Sequence, residues 1–327
     1  SQSLDESGAR RSPAFPKPGH DCVSLYGDSF TFGAEVSDAE AWGNILAGSL
    51  ECRVGNFGVN GYGTDQALLR LMENTADSAP VIVVGIYGDD LRRNVNQYHY
   101  FLSAAEESRF ALKPRFVLEN GTLKLVPIPT LSFEDFQRAL SHPGAVWRYE
   151  AFLPGSAYGP TVWSFPYTLS FGRLLASAKF WDLVVKRIRK EPSWIDFARQ
   201  DHPSTALPTT VAIIDEFRRV AAQRGSTVLI VMFPELRRRG VGLTTFHLFR
   251  QTGISPFSSL VTALNNRGIQ TRDLTEDFAT YLKDRDPCEI VLRDCAGHLT
   301  AEGNKVVANA VRESIANIAR APEITRR

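Results

Sequence analysis

Three apolar runs stand out along the chain, the last two mostly β-branched: Cys22–Tyr26 (CVSLY), Pro80–Tyr87 (PVIVVGIY) and Thr227–Phe233 (TVLIVMF). Runs of this kind, without an alternating polar face, are the pattern of strands covered on both sides in a parallel sheet. Cys52–Phe57 and Ile269–Asp273 supply two shorter strands. Between them the apolar positions change to helical spacing. Ala41, Ile45 and Leu46 lie on one face of Asp38–Leu50, with Asp38 as N-cap. Leu68, Leu69 and Met72 face inward from Gln66–Asn74, capped by Thr64 or Asp65. Thr209–Arg224 and Pro256–Asn266 follow as helices, and Thr300–Ala319 closes the series with Val306, Val307, Ala310, Val311 and Ile315 inward. Strands alternating with helices predict an α/β fold: a three-layer α/β/α sandwich around a central, mostly parallel sheet.

The rhythm fails from about residue 95 to 207. Pro114–Val126 reads as a hairpin turning at Asn120-Gly121, a pair suited to a type I′ turn. Phe133–Leu140 and Leu169–Arg189 read as helices, and Trp147, Trp163, Trp181 and Trp194 crowd the same region. Residues 95–207 are therefore expected to form an inserted cap, with the aromatics filling a small core of its own. Ser1–His20 is polar and rich in proline, and is expected to be a disordered leader ahead of one domain spanning 21–327.

Composition narrows the function classes. Of 327 residues 43 % are hydrophobic, and 37 basic against 36 acidic residues leave a net charge of +1. So balanced a chain does not suggest a nucleic-acid partner, and the arginine pairs at 10–11 and 326–327 read as solvated tails. The longest apolar run is far shorter than the roughly 20 residues of a membrane span. The chain begins at Ser1 rather than Met, so a processed or truncated form is expected, its targeting segment lying outside the sequence. Cys22, Cys52, Cys288 and Cys295 have no zinc-ligand spacing. Pairing of 22 with 52 and of 288 with 295 is one reading, four free thiols the other. The six histidines are scattered and no phosphate-binding glycine motif follows a strand, so no cofactor or metal is expected.

Candidate chemistry lies where strands stop. Cys22–Tyr26 ends at Gly27-Asp28-Ser29, Cys52–Phe57 leads into Asn60-Gly61, Pro80–Tyr87 ends at Gly88-Asp89-Asp90, and Asp294 and His298 precede the last helix. Open α/β sheets bind their ligands at this carboxyl edge. A serine there acts as nucleophile only beside a base and oxyanion donors. Asp28 reads as a turn residue that holds the serine loop through side-chain to backbone hydrogen bonds. In the order and spacing of these blocks, with GDSF, GYGTDQ and GHLTAEG, the chain resembles the SGNH/GDSL hydrolase superfamily over about two-thirds of its length.

The resemblance implies a catalytic set of Ser29 as nucleophile, His298 as general base and Asp294 as its orienting acid. It implies an oxyanion hole from the N–H groups of Ser29 and Gly61 and the side chain at 89. Two departures accompany it. Asp89 stands where the family has Asn, and an ionised carboxylate cannot donate a hydrogen bond, so Asn60 or Asn94 are alternative donors. Asp294 precedes His298 by four residues rather than three, leaving Asp286 and Asp273 as other partners. The implied activity is hydrolysis of an ester on a lipid, sugar or small molecule through an acyl-enzyme. An O-acyltransferase acting on carbohydrate, or a non-catalytic carbohydrate-binding relative, are the alternatives. The family's frequent export implies an extracytoplasmic location.

Overall fold

The computed structural model describes residues 1–17, 19–103, 111–176, 180–181, 184–185, 188, 194–236 and 244–324. Five parallel strands form the central sheet: β1 (Val23–Tyr26), β2 (Val54–Asn56), β3 (Val81–Tyr87), β6 (Thr227–Phe233) and β7 (Gln270–Asp273). The hairpin β4 (Arg115–Glu119) and β5 (Thr122–Val126) stands apart, and Asn120 and Gly121 both take positive φ, as a type I′ turn requires. The sheet order β2-β1-β3-β6-β7 places the reversal of winding between β1 and β3. That is the switch point at which a crevice opens beyond the strand ends.

Alternation along the strands divides the core into two layers. Val23, Leu25, Val83, Leu229 and Val231 pack with Trp42, Val307 and Val311 of helices Trp42–Leu50 and Ala301–Ile324. Tyr26, Ile82, Val84, Ile86, Ile230 and Met232 pack on the other face with Leu68, Leu71, Ile213, Ile214 and Phe217 of helices Thr64–Glu73 and Ala206–Gln223. The sandwich expected from the sequence is present, and the sheet is parallel throughout.

Several expectations change in detail. Helix Trp42–Leu50 starts four residues late, because Asp38 turns to Arg10 instead of capping it, and Trp42 N–H donates to Asn304 Oδ1 at 3.1 Å. Gly63, not Thr64 or Asp65, is the N-cap of the next helix; Leu71 is buried there, whereas Met72 is 41 % exposed. The helix expected over Leu169–Arg189 is described from Tyr167 to Leu175, and much of the remainder lies outside the described residues. The buried Tyr98, Phe101, Trp147, Phe152, Trp194 and Phe197 do not make a separate core for the insertion. They continue the layer that covers Ile82 and Val84, whereas Trp163 and Trp181 are exposed.

The leader is the largest correction. Described residues up to 17 lie on the domain, Ala9 and Arg10 are buried, and Arg10 N–H donates to Asn56 O at 2.7 Å along edge strand β2. Arg53 secures the segment by pairing with Asp5 at 2.6 Å while also holding Asp21 at 2.7 Å. Arg10 is thus a core cation rather than a solvated tail. Cys22–Cys52 and Cys288–Cys295 are disulfide-bonded.

Candidate active site

The chain leaves β1 at Gly27 and enters a single helical turn, Ser29–Phe32. Asp28 caps that turn, its Oδ1 accepting from Phe30 N at 2.9 Å and Thr31 N at 3.3 Å, as its residue type led one to expect. Ser29 opens the turn, so its N–H has no acceptor within the helix. A Cβ at Gly27 would lie 2.2 Å from Thr31 Oγ1 and 2.6 Å from Gly85 O. Only glycine lets β1, β3 and the serine turn meet this closely. Gly27→Ala should therefore cost about 1–3 kcal/mol through overpacking, read as a lowered Tm in thermal unfolding.

His298 Nε2 lies 2.8 Å from Ser29 Oγ, so the first and last blocks of the chain meet in a hydrogen bond. The imidazole rests 5.0 Å from the Phe30 ring, which itself stacks on Tyr87 at 4.3 Å. Asp294 is not its partner. Arg293, Asp294 and Cys295 all take positive φ in the turn closed by the Cys288–Cys295 bond. Asp294 is exposed there, without a hydrogen bond or ion pair among the described residues. The extra residue between Asp294 and His298 is taken up in this turn. Of the other two carboxylates, Asp286 caps Cys288 N at 3.0 Å and Asp273 accepts from Thr275 N at 2.9 Å.

Glu35 fills the place instead. Its Oε1 lies 3.2 Å from His298 Nδ1, its Oε2 accepts from the His298 backbone N–H at 3.0 Å, and Arg293 Nε approaches Oε1 at 3.1 Å. A Cβ at Gly297 would stand 2.4 Å from Oε2, so the carboxylate reaches the histidine across a bare backbone. Partial burial would raise the Glu35 pKa, but the His298 N–H, the imidazole and Arg293 outweigh it and hold the group below the ordinary glutamate range. Glu35 lies in an irregular loop six residues after the serine, and nothing in its spacing marks it beforehand. The one signal in the sequence is its place between two blocks that had to converge.

The remaining loops are tied to the serine turn. Val59 N–H donates to Gly27 O at 3.0 Å, and Gly61 follows with φ +82° on an exposed tip. Arg93 Nη1 donates to Tyr62 O at 2.9 Å and to Asp90 Oδ1 at 3.0 Å, and lies 3.6 Å from Asp28 Oδ2. One partly buried guanidinium thereby joins the serine turn, the glycine loop and the end of β3. Burial and the charge of Asp28 push Asp90 well above the ordinary carboxylate range; burial raises Asp28 as well, against the pull of Arg93. Asp89 pairs with Arg92 at 3.2 Å, and as a carboxylate it can only accept. Asn94 is fully buried, accepting from Asp65 N at 3.1 Å and donating to Thr210 Oγ1 at 2.8 Å, so it is no oxyanion donor. Asn60 does reach the site. With Gln2, Ala34, Glu35, Leu292, Arg293 and His298 it lines a cavity of about 580 Å³. Among the described residues no cluster of His, Cys, Asp and Glu suits a metal ion, and no helix is long and apolar enough to cross a membrane.

No protein-family model matches the chain, and no curated protein matches it. Solved structures similar to it include a member of the lipolytic protein G-D-S-L family from Veillonella parvula DSM 2008, at 12 % identity and TM-score 0.42, covering 89 % of this chain and 96 % of that one. Another is the acetylxylan esterase Axe2 from Geobacillus stearothermophilus, studied as a catalytic mutant, at 12 % identity and TM-score 0.44, covering 91 % and 94 %. A third is the acetyl xylan esterase AlAXEase, at 11 % identity and TM-score 0.45, covering 90 % and 98 %. The blocks carried by Ser29, Gly61, Asp89 and His298 are thus set on a parallel sheet of order β2-β1-β3-β6-β7.

Proposed function

We infer that the protein is a serine hydrolase of ester bonds that works through an acyl-enzyme. The observation that carries this reading is the 2.8 Å contact between Ser29 Oγ and His298 Nε2 at the sheet's switch point, with a carboxylate on the far side of the imidazole. Ser29 Oγ attacks the acyl carbon while His298 Nε2 takes its proton. The carbonyl oxygen becomes an oxyanion facing the N–H groups of Ser29 and Gly61, with the Asn60 amide as third donor. Collapse of the intermediate breaks the bond to the alkoxide oxygen, which leaves with the proton from His298. Water then repeats the sequence: His298 removes its proton, the hydroxide oxygen bonds to the acyl carbon, and Ser29 Oγ departs and is reprotonated. Glu35 takes the role first assigned to Asp294, orienting the imidazole and stabilising the imidazolium. Two disulfides fit an oxidising compartment, and we propose an extracytoplasmic location.

A fluorophosphonate ester, which phosphonylates activated serines, tests the reading directly. Peptide mass spectrometry is expected to find the adduct on Ser29 in the parent and none in His298→Ala. A folded parent that reacts nowhere, or at another serine, would refute the assignment. Asp89→Asn adds a second expectation. Asp89 stands at the position where the resemblance implies an oxyanion donor, so replacing its carboxylate by an amide should raise kcat for p-nitrophenyl acetate near neutral pH. One well-placed donor is worth about 10²–10³ in kcat. A rise of tenfold is the expected order here, because Arg92 still competes for the side chain.

A further inference from the structure

We propose that residues 1–12 form a strap that completes the active site, with Arg10 as the positioning residue that holds Glu35 against His298. This rests on the role given to Glu35 above. Glu35 sits in the turn between the serine helix and helix Trp42–Leu50, with no ladder of regular hydrogen bonds to fix it. Its own φ is +71°, in the left-handed region that strains an L-residue bearing a side chain. Such a backbone persists only where its surroundings hold it.

Arg10 does the holding from both sides of Glu35. Its Nη1 donates to Phe32 O at 2.6 Å and to Gly33 O, its Nη2 to Val36 O at 2.7 Å, and its Nε to Asp38 Oδ1 at 2.9 Å. A single guanidinium, 2 % exposed, thus gathers acceptors from residues 32, 33, 36 and 38 around the carboxylate at 35. The guanidinium also lies 4.6 Å from the Phe32 ring centroid. A lysine has no planar fork and cannot serve this set of acceptors. The strap is fastened at other points as well. Ser3 Oγ donates to Asp38 Oδ2 at 2.8 Å, Gln2 Nε2 to Val36 O at 3.2 Å, and Arg70 Nη2 to Gly8 O at 2.8 Å. Gln2 then forms part of the cavity wall beside Glu35 and His298. Residues at the start of the chain therefore shape the site although none of them belongs to a catalytic block.

The groups bearing charge toward His298 are Glu35 from the turn after the serine helix, Arg293 from the histidine's own loop, and the buried Asp28 beneath the serine. Loosening Glu35 removes the nearest negative charge, which makes the imidazolium easier to deprotonate. Four proteins separate the strap from a merely structural contact: the parent, Glu35→Gln, Arg10→Met and the double variant. The titration of the His298 ring protons is followed by NMR, and kcat and KM for p-nitrophenyl acetate are measured alongside. His298 in Glu35→Gln should titrate about one pH unit lower than in the parent. Arg10→Met should move it in the same direction by at least half as much, and the double variant no further than Glu35→Gln alone. Displacing the acid should lower kcat roughly 10–100-fold, with KM little changed. In the Glu35→Gln background the same substitution should cost less than about threefold, because coupled residues do not add.

An unmoved His298 titration with equal losses of kcat in both backgrounds would overturn the proposal. Should Arg10→Met fail to fold, Asp38→Asn weakens the Nε contact together with the Ser3 contacts to the same carboxylate, all of them within the strap, and is read in the same way. A smaller shift of the same sign upholds the strap, and no shift overturns it. A parent without Ser29-dependent turnover would instead refute the hydrolase reading, and the NMR titration would still decide whether Arg10 positions Glu35.

Discussion

Ser29→Ala is expected to remove ester turnover almost completely, lowering kcat for p-nitrophenyl acetate on the order of 10⁴–10⁶-fold. In the proposed mechanism the loss is this large because the hydroxyl is the atom that bonds to the acyl carbon. The residue is buried and its Oγ meets His298 Nε2 at 2.8 Å, so the substitution deletes one oxygen and one hydrogen bond. Asp28 still caps Phe30 and Thr31, and Gly27 still admits the turn between β1 and β3. Tm should accordingly stay within a few degrees of the parent, which makes the kinetic loss a statement about chemistry. Stopped-flow turnover and thermal unfolding on the same preparation give both numbers. Turnover that survives Ser29→Ala would place the nucleophile elsewhere and leave the Ser29–His298 pair a structural contact.

The second large effect separates two carboxylates. Glu35→Gln should lower kcat roughly 10²–10⁴-fold, because an amide neither stabilises the imidazolium nor keeps the ring in its productive tautomer. Asp294→Asn, on an exposed side chain, should stay within about twofold, as surface substitutions do. The reverse ranking would restore Asp294 as the acid and assign Glu35 to the backbone N–H of His298 alone. The pH dependence has a definite sign. Burial works against the charge on Glu35, but its contacts with His298 and Arg293 hold its folded pKa below the ordinary value. Its contribution to stability is complete above the unfolded glutamate pKa and is lost as pH falls through the depressed folded value. Acid unfolding of Glu35→Gln should therefore lack that part of the parent's loss of stability, measured as a flatter dependence of Tm on pH below about 4.5.

Arg93 explains why these loops hold together in spite of their burial cost. Asp28 and Asp90 are both withdrawn from water, and each would be expensive as an isolated charge. Shared with one guanidinium that also binds Tyr62 O, they become the joint between the serine turn, the glycine loop and β3. Asp89 pairs with Arg92, and Asn60 lines the cavity beside Glu35 and His298.

Local sequence determined the sheet. Val23–Tyr26, Val81–Tyr87 and Thr227–Phe233 are apolar over their whole length, and such runs have few stable places other than a covered parallel strand. The small-residue turn that ends a buried strand marked Ser29 by a local rule, whereas His298 was legible only through the resemblance in the order and spacing of the blocks. The acid partner and the strap obey no local rule. Glu35 lies in a turn with neither period nor motif, and Arg10 lies in a stretch whose composition matches a disordered leader. Their roles depend on distances between residues 10, 35 and 298, which exist only after β1, β2 and the last helix have packed. A buried guanidinium is stable where several acceptors converge on it, and a carboxylate is catalytic where an imidazole meets it. Both are properties of convergence in space, so tertiary structure alone set Glu35 rather than Asp294 against His298 and brought Gln2, from an apparent tail, to the wall of the same cavity.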